Sequence, residues 1–154
     1  MLYYQTFFIS SLGEMTISCN EGYITSISFG TLDLEGTYRT CPLLEKAREE
    51  LEEYVEGRRR EFSLPLRAEG TDFQKKVWEE LCKVGYAETV SYAQIAQRIG
   101  NPKAVRAVGM ANNRNPISIV IPCHRVIGKD GKLVGYGGGL ERKEFLLDLE
   151  KRNR

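Results

Sequence analysis

The sequence predicts an α+β protein in two parts: a small antiparallel sheet with one helix, then a helical segment built around a helix-turn-helix. Three observations carry this. Apolar residues alternate with polar ones through the first 30 positions, apolar residues after Pro42 fall at helical spacing, and the charge changes sign near residue 70. Residues 1–70 carry 7 basic and 12 acidic side chains, a net of −5; residues 71–154 carry 15 basic and 9 acidic, a net of +6. The overall charge of +1 would argue against a nucleic-acid partner, but it averages two unlike halves. A length of 154 residues allows one domain or two small ones, and an apolar content of 42% is that of a globular chain rather than a disordered one.

Each element has a local reason. Tyr3 to Ile9 is aromatic and β-branched, Met15 to Cys19 alternates, Asn20–Glu21–Gly22 supplies a turn, and Tyr23 to Phe29 alternates again. Pro42 opens a helix in which Leu43, Leu44, Ala47, Leu51, Tyr54 and Val55 fall at helical spacing; Gly57 ends it. Arg58–Arg59–Arg60 behind it reads as a solvated helix end, with phosphate binding as the lesser alternative. Pro65 to Gly70 is a linker, so the expected domains are 1–66 and 71–154. Thr71 caps a helix carrying Phe73, Val77, Trp78 and Leu81, and Ser91 caps a second through Tyr92, Ile95, Ala96 and Ile99. Gly100 ends that helix, and Pro102 is expected to begin a third at once, through Ala104, Val105, Ala107 and Val108. Helix, short break with Gly, helix is the helix-turn-helix pattern. The third helix would show Lys103, Arg106, Asn112, Asn113 and Arg114 to solvent, a cationic and amide-rich face suited to phosphates and base edges.

Cys19, Cys41, Cys82 and Cys123 include no CxxC pair and are far sparser than a secreted disulfide scaffold, so they read as free thiols in a reducing cytoplasm. A zinc site would need all of them, or three with His124, without short ligand spacing, and no metal is expected. No apolar run approaches the roughly 18 residues of a membrane span, and Met1 to Tyr4 lacks the basic start of a signal peptide.

The run Asn115–Pro116–Ile117–Ser118–Ile119–Val120–Ile121–Pro122–Cys123–His124–Arg125–Val126 carries the chemistry. A β-branched, strand-like segment stops at a proline, followed by a thiol and the one imidazole in the chain. A small core cysteine beside a surface histidine is the bland alternative. In an extended segment neighbouring side chains point opposite ways, so His124 would reach the thiol through a turn or a bridging water. An unperturbed thiol with pKa ~8.5 is only about 3% thiolate at pH 7, so a nucleophilic Cys123 needs help. His124 needs an orienting acceptor in turn, and Glu141, Glu144, Asp148 and Glu150 are candidates.

Ile121–Pro122–Cys123–His124–Arg125–Val126 resembles the active-site motif of the O6-alkylguanine-DNA alkyltransferases, the methylated-DNA–protein-cysteine methyltransferases. The resemblance runs from about Phe73 to Glu150 and takes in Ser91–Tyr92, Gly100–Asn101–Pro102, Arg106–Ala107–Val108–Gly109, Asn115–Pro116 and Tyr136–Gly137–Gly138–Gly139–Leu140. It implies a ribonuclease H-like N-terminal domain of strands and helix, followed by a winged-helix-like DNA-binding domain. It also implies a cofactor-free, single-turnover transfer of an alkyl group from guanine O6 in double-stranded DNA to Cys123, with O4-alkylthymine as a second candidate lesion, by a monomer. By the same resemblance His124 is a base acting through water, Glu150 orients it, and Asn115 holds the turn before the nucleophile. Tyr92 assists departure of the flipped guanine, and Lys143 stabilises charge. Arg106 fills the gap in the duplex, with Ala107, Lys103, Asn112, Arg114 and Ser91 as further DNA contacts. Tyr136, Gly137, Val126 and Ser118 line the substrate pocket.

Some relatives have proline where this chain has Ser118 and serine where it has Gly137, which leaves tolerance of bulky alkyl groups open. The glycine-rich loop lacks the spacing of a nucleotide cradle. Two other classes compete with the alkyltransferase. A non-catalytic lesion-binding protein would replace the nucleophile, which is present here, and a turning-over Cys–His hydrolase finds no resemblance.

Overall fold

The computed structural model describes all 154 residues, Met1–Arg154. They form two compact units: residues 1–69 with 116–118, and residues 70–115 with 119–154.

The first unit is a sheet and a helix. Strands β1 (Leu2–Ile9), β2 (Gly13–Asn20) and β3 (Tyr23–Phe29) form an antiparallel meander, and β4 (Thr37–Tyr38) lies parallel to β1, giving the order β3-β2-β1-β4. The β2–β3 register beside the hairpin follows from its two-residue turn, and an irregularity that skips Thr25 shifts it from Ser18 onward. Asn20 pairs with Tyr23, and Glu21 and Gly22 both take positive φ, 52° and 85°, as a turn matched to strand twist requires. Phe7, Ile9, Met15, Ile17, Ile24 and Ile27 are buried with Leu44, Ala47, Leu51 and Tyr54 of α1 (Pro42–Val55).

Alternation would put Thr16 and Ser18 in water, yet both are buried. Thr16 Oγ1 donates to Gly30 O at 2.8 Å and accepts from Leu32 N at 3.0 Å, while Ser18 bonds Thr25 and Ser26. Glu50 of α1 is likewise buried, accepting from Ser63 N and Oγ. Arg58 and Arg59 are committed to Glu56 and Glu53, which favours the solvated-end reading over a phosphate site. The parallel bridge of Ile27 with Ile117 brings residues 116–118 into this unit.

The second unit begins with α2 (Asp72–Leu81), closed by a capping box in which Thr71 and Gln74 satisfy each other's N–H groups. Ser91 and Gln94 repeat the device at α3 (Tyr92–Arg98), which follows the short β5 (Val90–Ser91). Trp78 donates Nε1–H to Ala111 O at 2.9 Å, fastening α2 to α4 (Val105–Asn113). Strand β6 (Val126–Ile127) pairs in parallel with β5, and α5 (Leu140–Arg152) closes the chain. No helix is long and apolar enough to cross a membrane.

Three expectations are corrected. The third helix begins at Val105, not Pro102. Gly100 takes φ 77° and Ala104 N–H bonds Asn101 O, so Pro102 and Lys103 occupy the centre of a tight turn that suits proline. The Ile117–Ile121 run is not a strand, because Ile119 takes a left-handed φ of 73° and breaks it after the bridge at Ile117. Cys123–His124–Arg125 is one turn of 3₁₀ helix rather than extended chain, which removes the geometric objection that adjacent side chains point apart.

Candidate active site

The site is built around that 3₁₀ turn. Cys123 is 5% exposed, and Asn115 positions it: one Nδ2 group bonds Ile121 O at 2.8 Å and Cys123 Sγ at 3.1 Å. Asn115 therefore clamps the irregular segment between α4 and the nucleophile while supplying a donor to sulfur. Burial pushes the Cys123 thiol up, and the Asn115 bond and the Lys143 charge pull it down. The remaining upward shift suits a thiol that is inert until substrate arrives.

His124 is fully buried, with Nε2 2.7 Å from Glu150 Oε2. Burial lowers its pKa below the ordinary 6.5 against the opposing pull of Glu150, so the ring is neutral at pH 7. A neutral ring facing a carboxylate donates from Nε2, which leaves Nδ1 as the basic nitrogen. Burial would raise the Glu150 carboxyl, but the bonds from His124 and Arg125 outweigh it and hold Glu150 well below the carboxylate range.

Sequence reasoning gave no role to Arg125, and the structure makes it the second anchor of Glu150. Its Nε and Nη2 bond the two carboxylate oxygens, each at 2.9 Å, and Nη1 bonds Val84 O at 2.7 Å. Ala87 N–H adds a further bond at 3.1 Å, presented by a backbone with φ 62°. The available signal was an arginine among apolar neighbours, between His124 and Val126, which must find a partner if it folds inward.

Lys143 is buried on α5, with Nζ 2.5 Å from Val126 O, 2.7 Å from Val134 O and 3.4 Å from Gly135 O. Burial pushes its ammonium down to about 8, opposed by Cys123, so it is still mostly charged at pH 7. It ties the nucleophile turn to the glycine-rich loop. Tyr92 OH lies 3.4 Å from Val134 O, and burial followed by the Cys123 charge raises its pKa, so the phenol keeps its proton. Burial raises Tyr136 in the same way.

A cavity of about 620 Å³ opens at the N-terminus of α3, lined by Ser91, Tyr92, Gln94, Val105, Ile127 and Gly128 among others. Of the expected pocket residues, Tyr136, Gly137 and Val126 are not part of its lining, while Ser118 belongs to the first unit and bonds Ile27 O. The outer face of α4 exposes Arg106, Ala107, Met110 and Asn113, with Lys103 in the preceding turn and Arg114 just after. Asn112 is not on the outer face that the sequence predicts: it is 1% exposed, and its Nδ2 points to Cys123 O at 3.5 Å, so its side chain supports the Cys123 turn instead of facing solvent.

Comparison with known proteins follows the same division. Residues 72–152 match the family model of the 6-O-methylguanine DNA methyltransferase DNA-binding domain, and residues 2–68 match that of its ribonuclease-like domain. A Methanosarcina acetivorans methylated-DNA–protein-cysteine methyltransferase is 45% identical over 152 residues, covering 96% of this chain and 97% of its own. The Methanosarcina barkeri protein of the same name is 60% identical over 108 residues, 70% of this chain and 68% of its own. The crystal structure of Mycobacterium tuberculosis OGT in complex with DNA superposes with a TM-score of 0.90 at 43% identity, covering 98% of this chain and 94% of that one.

Proposed function

This chain belongs to the 6-O-methylguanine DNA methyltransferase family, and from that membership we infer that it repairs DNA by moving the alkyl group of O6-alkylguanine onto its own Cys123. The observation that carries the reading is the buried Cys123 thiol held by Asn115 at 3.1 Å, in the same 3₁₀ turn that delivers His124 to Glu150.

The target atom is inside the base stack, so the nucleotide must leave the duplex; a poorly pairing lesion lowers that cost of a few kcal/mol. Arg106, on the exposed face of α4, takes the vacated space, and Lys103 and Arg114 neutralise phosphates. His124 Nδ1, made basic by the Nε2–Glu150 bond, accepts the Cys123 proton through a water. The thiolate attacks the alkyl carbon, the S–C bond forms as the C–O6 bond breaks, and the electron pair passes into the guanine ring. Tyr92, whose phenol is held protonated, supplies the proton that quenches the guanine anion. His124 returns its proton through water to Tyr92, so one S–H and one C–O6 bond give way to one S–C and one guanine N–H bond, and both residues end as they began. The product thioether has no leaving path, so one molecule repairs one lesion. Residues 71–154 carry the DNA-binding and acceptor parts, and residues 1–66 form the supporting domain. The cytoplasm, which keeps thiols reduced, is the compartment we assign.

The presence of Cys123 sets this reading above a lesion-binding protein without transfer. The test is to mix the protein with duplex DNA containing O6-methylguanine and count guanine restored. The expected result is a plateau at one guanine per protein, abolished in Cys123→Ser. Continued turnover, or full repair by Cys123→Ser, would overturn it.

A further inference from the structure

We propose that Cys19 and Cys41 form a reversible disulfide when the protein meets a hydroperoxide. In the reduced protein all four cysteines are free, and the Sγ atoms of Cys19 and Cys41 lie 3.4 Å apart. Cys19 is on β2, paired with Tyr3 on one side and Ile24 on the other. Cys41 is the N-cap residue of α1. A disulfide requires sulfurs about 2.05 Å apart, so closure needs a shift of about 1.4 Å from the observed 3.4 Å. The mobile side of that closure is Cys41. It is half-buried, it follows the exposed residues 37–40, and its side chain makes no capping bond that closure would break.

The two thiols divide the chemistry. Cys41 is half-buried where Cys19 is buried, so a hydroperoxide reaches the Cys41 sulfur first. Cys19 is pushed up to about 12 by burial and by Cys41, so it is the poorer first nucleophile. Cys41 attacks the distal peroxide oxygen, becoming a sulfenic acid as the peroxide leaves as an alcohol, or as water from hydrogen peroxide. The Cys19 sulfur then attacks the Cys41 sulfur, and the sulfenyl oxygen departs as water with the Cys19 proton. Two thiols and one hydroperoxide give one disulfide, one water and one alcohol. A dithiol reductant reverses it. The bridge joins the sheet to the start of α1, closing a segment that includes β3 and β4, and so restricts the unfolded state of the first unit.

The experiment uses the full-length reduced protein and equimolar hydrogen peroxide. Remaining thiols are trapped with N-ethylmaleimide, and the digest is read by mass spectrometry without reduction. The expected product is a Cys19 peptide joined to a Cys41 peptide, 2 Da lighter than the pair, restored by dithiothreitol and accompanied by a thermal midpoint several degrees higher. Cys41→Ser abolishes both the linkage and the midpoint rise. Cys19→Ala leaves Cys41 as a sulfenic acid that dimedone captures. Uptake of N-ethylmaleimide by both cysteines after peroxide, or a bridge from Cys41 to Cys82 instead, would overturn the proposal.

Discussion

Glu150 is the residue on which most of the buried polar structure depends. It carries the one full negative charge among His124, Arg125 and the Ala87 N–H, and it is itself wholly buried. Removing one partner from a buried ion pair strands the other, at a cost of about 3–5 kcal/mol. Glu150→Gln should therefore lower stability at pH 7 by about that amount, read from urea unfolding. The pH dependence has a definite sign. His124, depressed in the folded state, contributes stability that falls as pH drops below its ordinary 6.5, because the unfolded chain binds the proton first. Glu150, also depressed, contributes stability that is complete above the ordinary 4.5 and lost below it. The gap between wild type and Glu150→Gln should thus narrow below pH 4.5; a gap of constant size would contradict the assignment. Asn115 acts on sulfur instead. Since its bond lowers the Cys123 thiol, Asn115→Ala should move the pH–rate profile of Cys123 alkylation to higher pH. An unmoved profile with a uniformly lower rate would reduce Asn115 to a purely mechanical role.

At the scale of elements, α4 is where sequence and structure part most instructively. Both capping boxes were legible at one end, Ser91 and Thr71, because the cap chemistry is local. So was the Asn20–Tyr23 hairpin. The beginning of α4 was not, since Pro102 suits a helix start and the centre of a turn equally, and Gly100's backbone reversal decides between them. The burial of Asn112 was hidden for a different reason. Its composition reads as surface, but helix phase is set by what α4 packs against, and Trp78 binding Ala111 O turns that side inward. The β-branched run before Cys123 has strand propensity at every position, and only the tertiary bridge at Ile117 and the left-handed Ile119 reveal that it is a loop. The thiol and the imidazole were legible; Glu150 was one of four acids on the last helix and only the family resemblance singled it out, and Arg125 was not legible, because charged residues default to solvent. Arg106 remains on the outer face, so Arg106→Ala should slow repair of duplex DNA far more than reaction with a free O6-alkylguanine base. Equal losses on both substrates would remove the wedge role.

For the whole molecule, the charge division has a chemical meaning that its total conceals. The +6 carried by residues 71–154 accompanies the helix-turn-helix, Cys123 and His124, while the −5 of residues 1–70 accompanies the sheet and α1. A surplus of +6 is modest for a DNA-binding surface. Binding that releases few counterions should weaken only moderately with salt, and base extrusion supplies the remaining selectivity. All of this rests on Cys123 being the acceptor. The direct measurement is the mass of the Cys123 peptide after the protein has met an equimolar amount of DNA containing O6-methylguanine. The expected result is a gain of one methyl group on that peptide, near full occupancy, with the Cys19, Cys41 and Cys82 peptides unchanged. An unmodified Cys123 peptide alongside repaired DNA would contradict it.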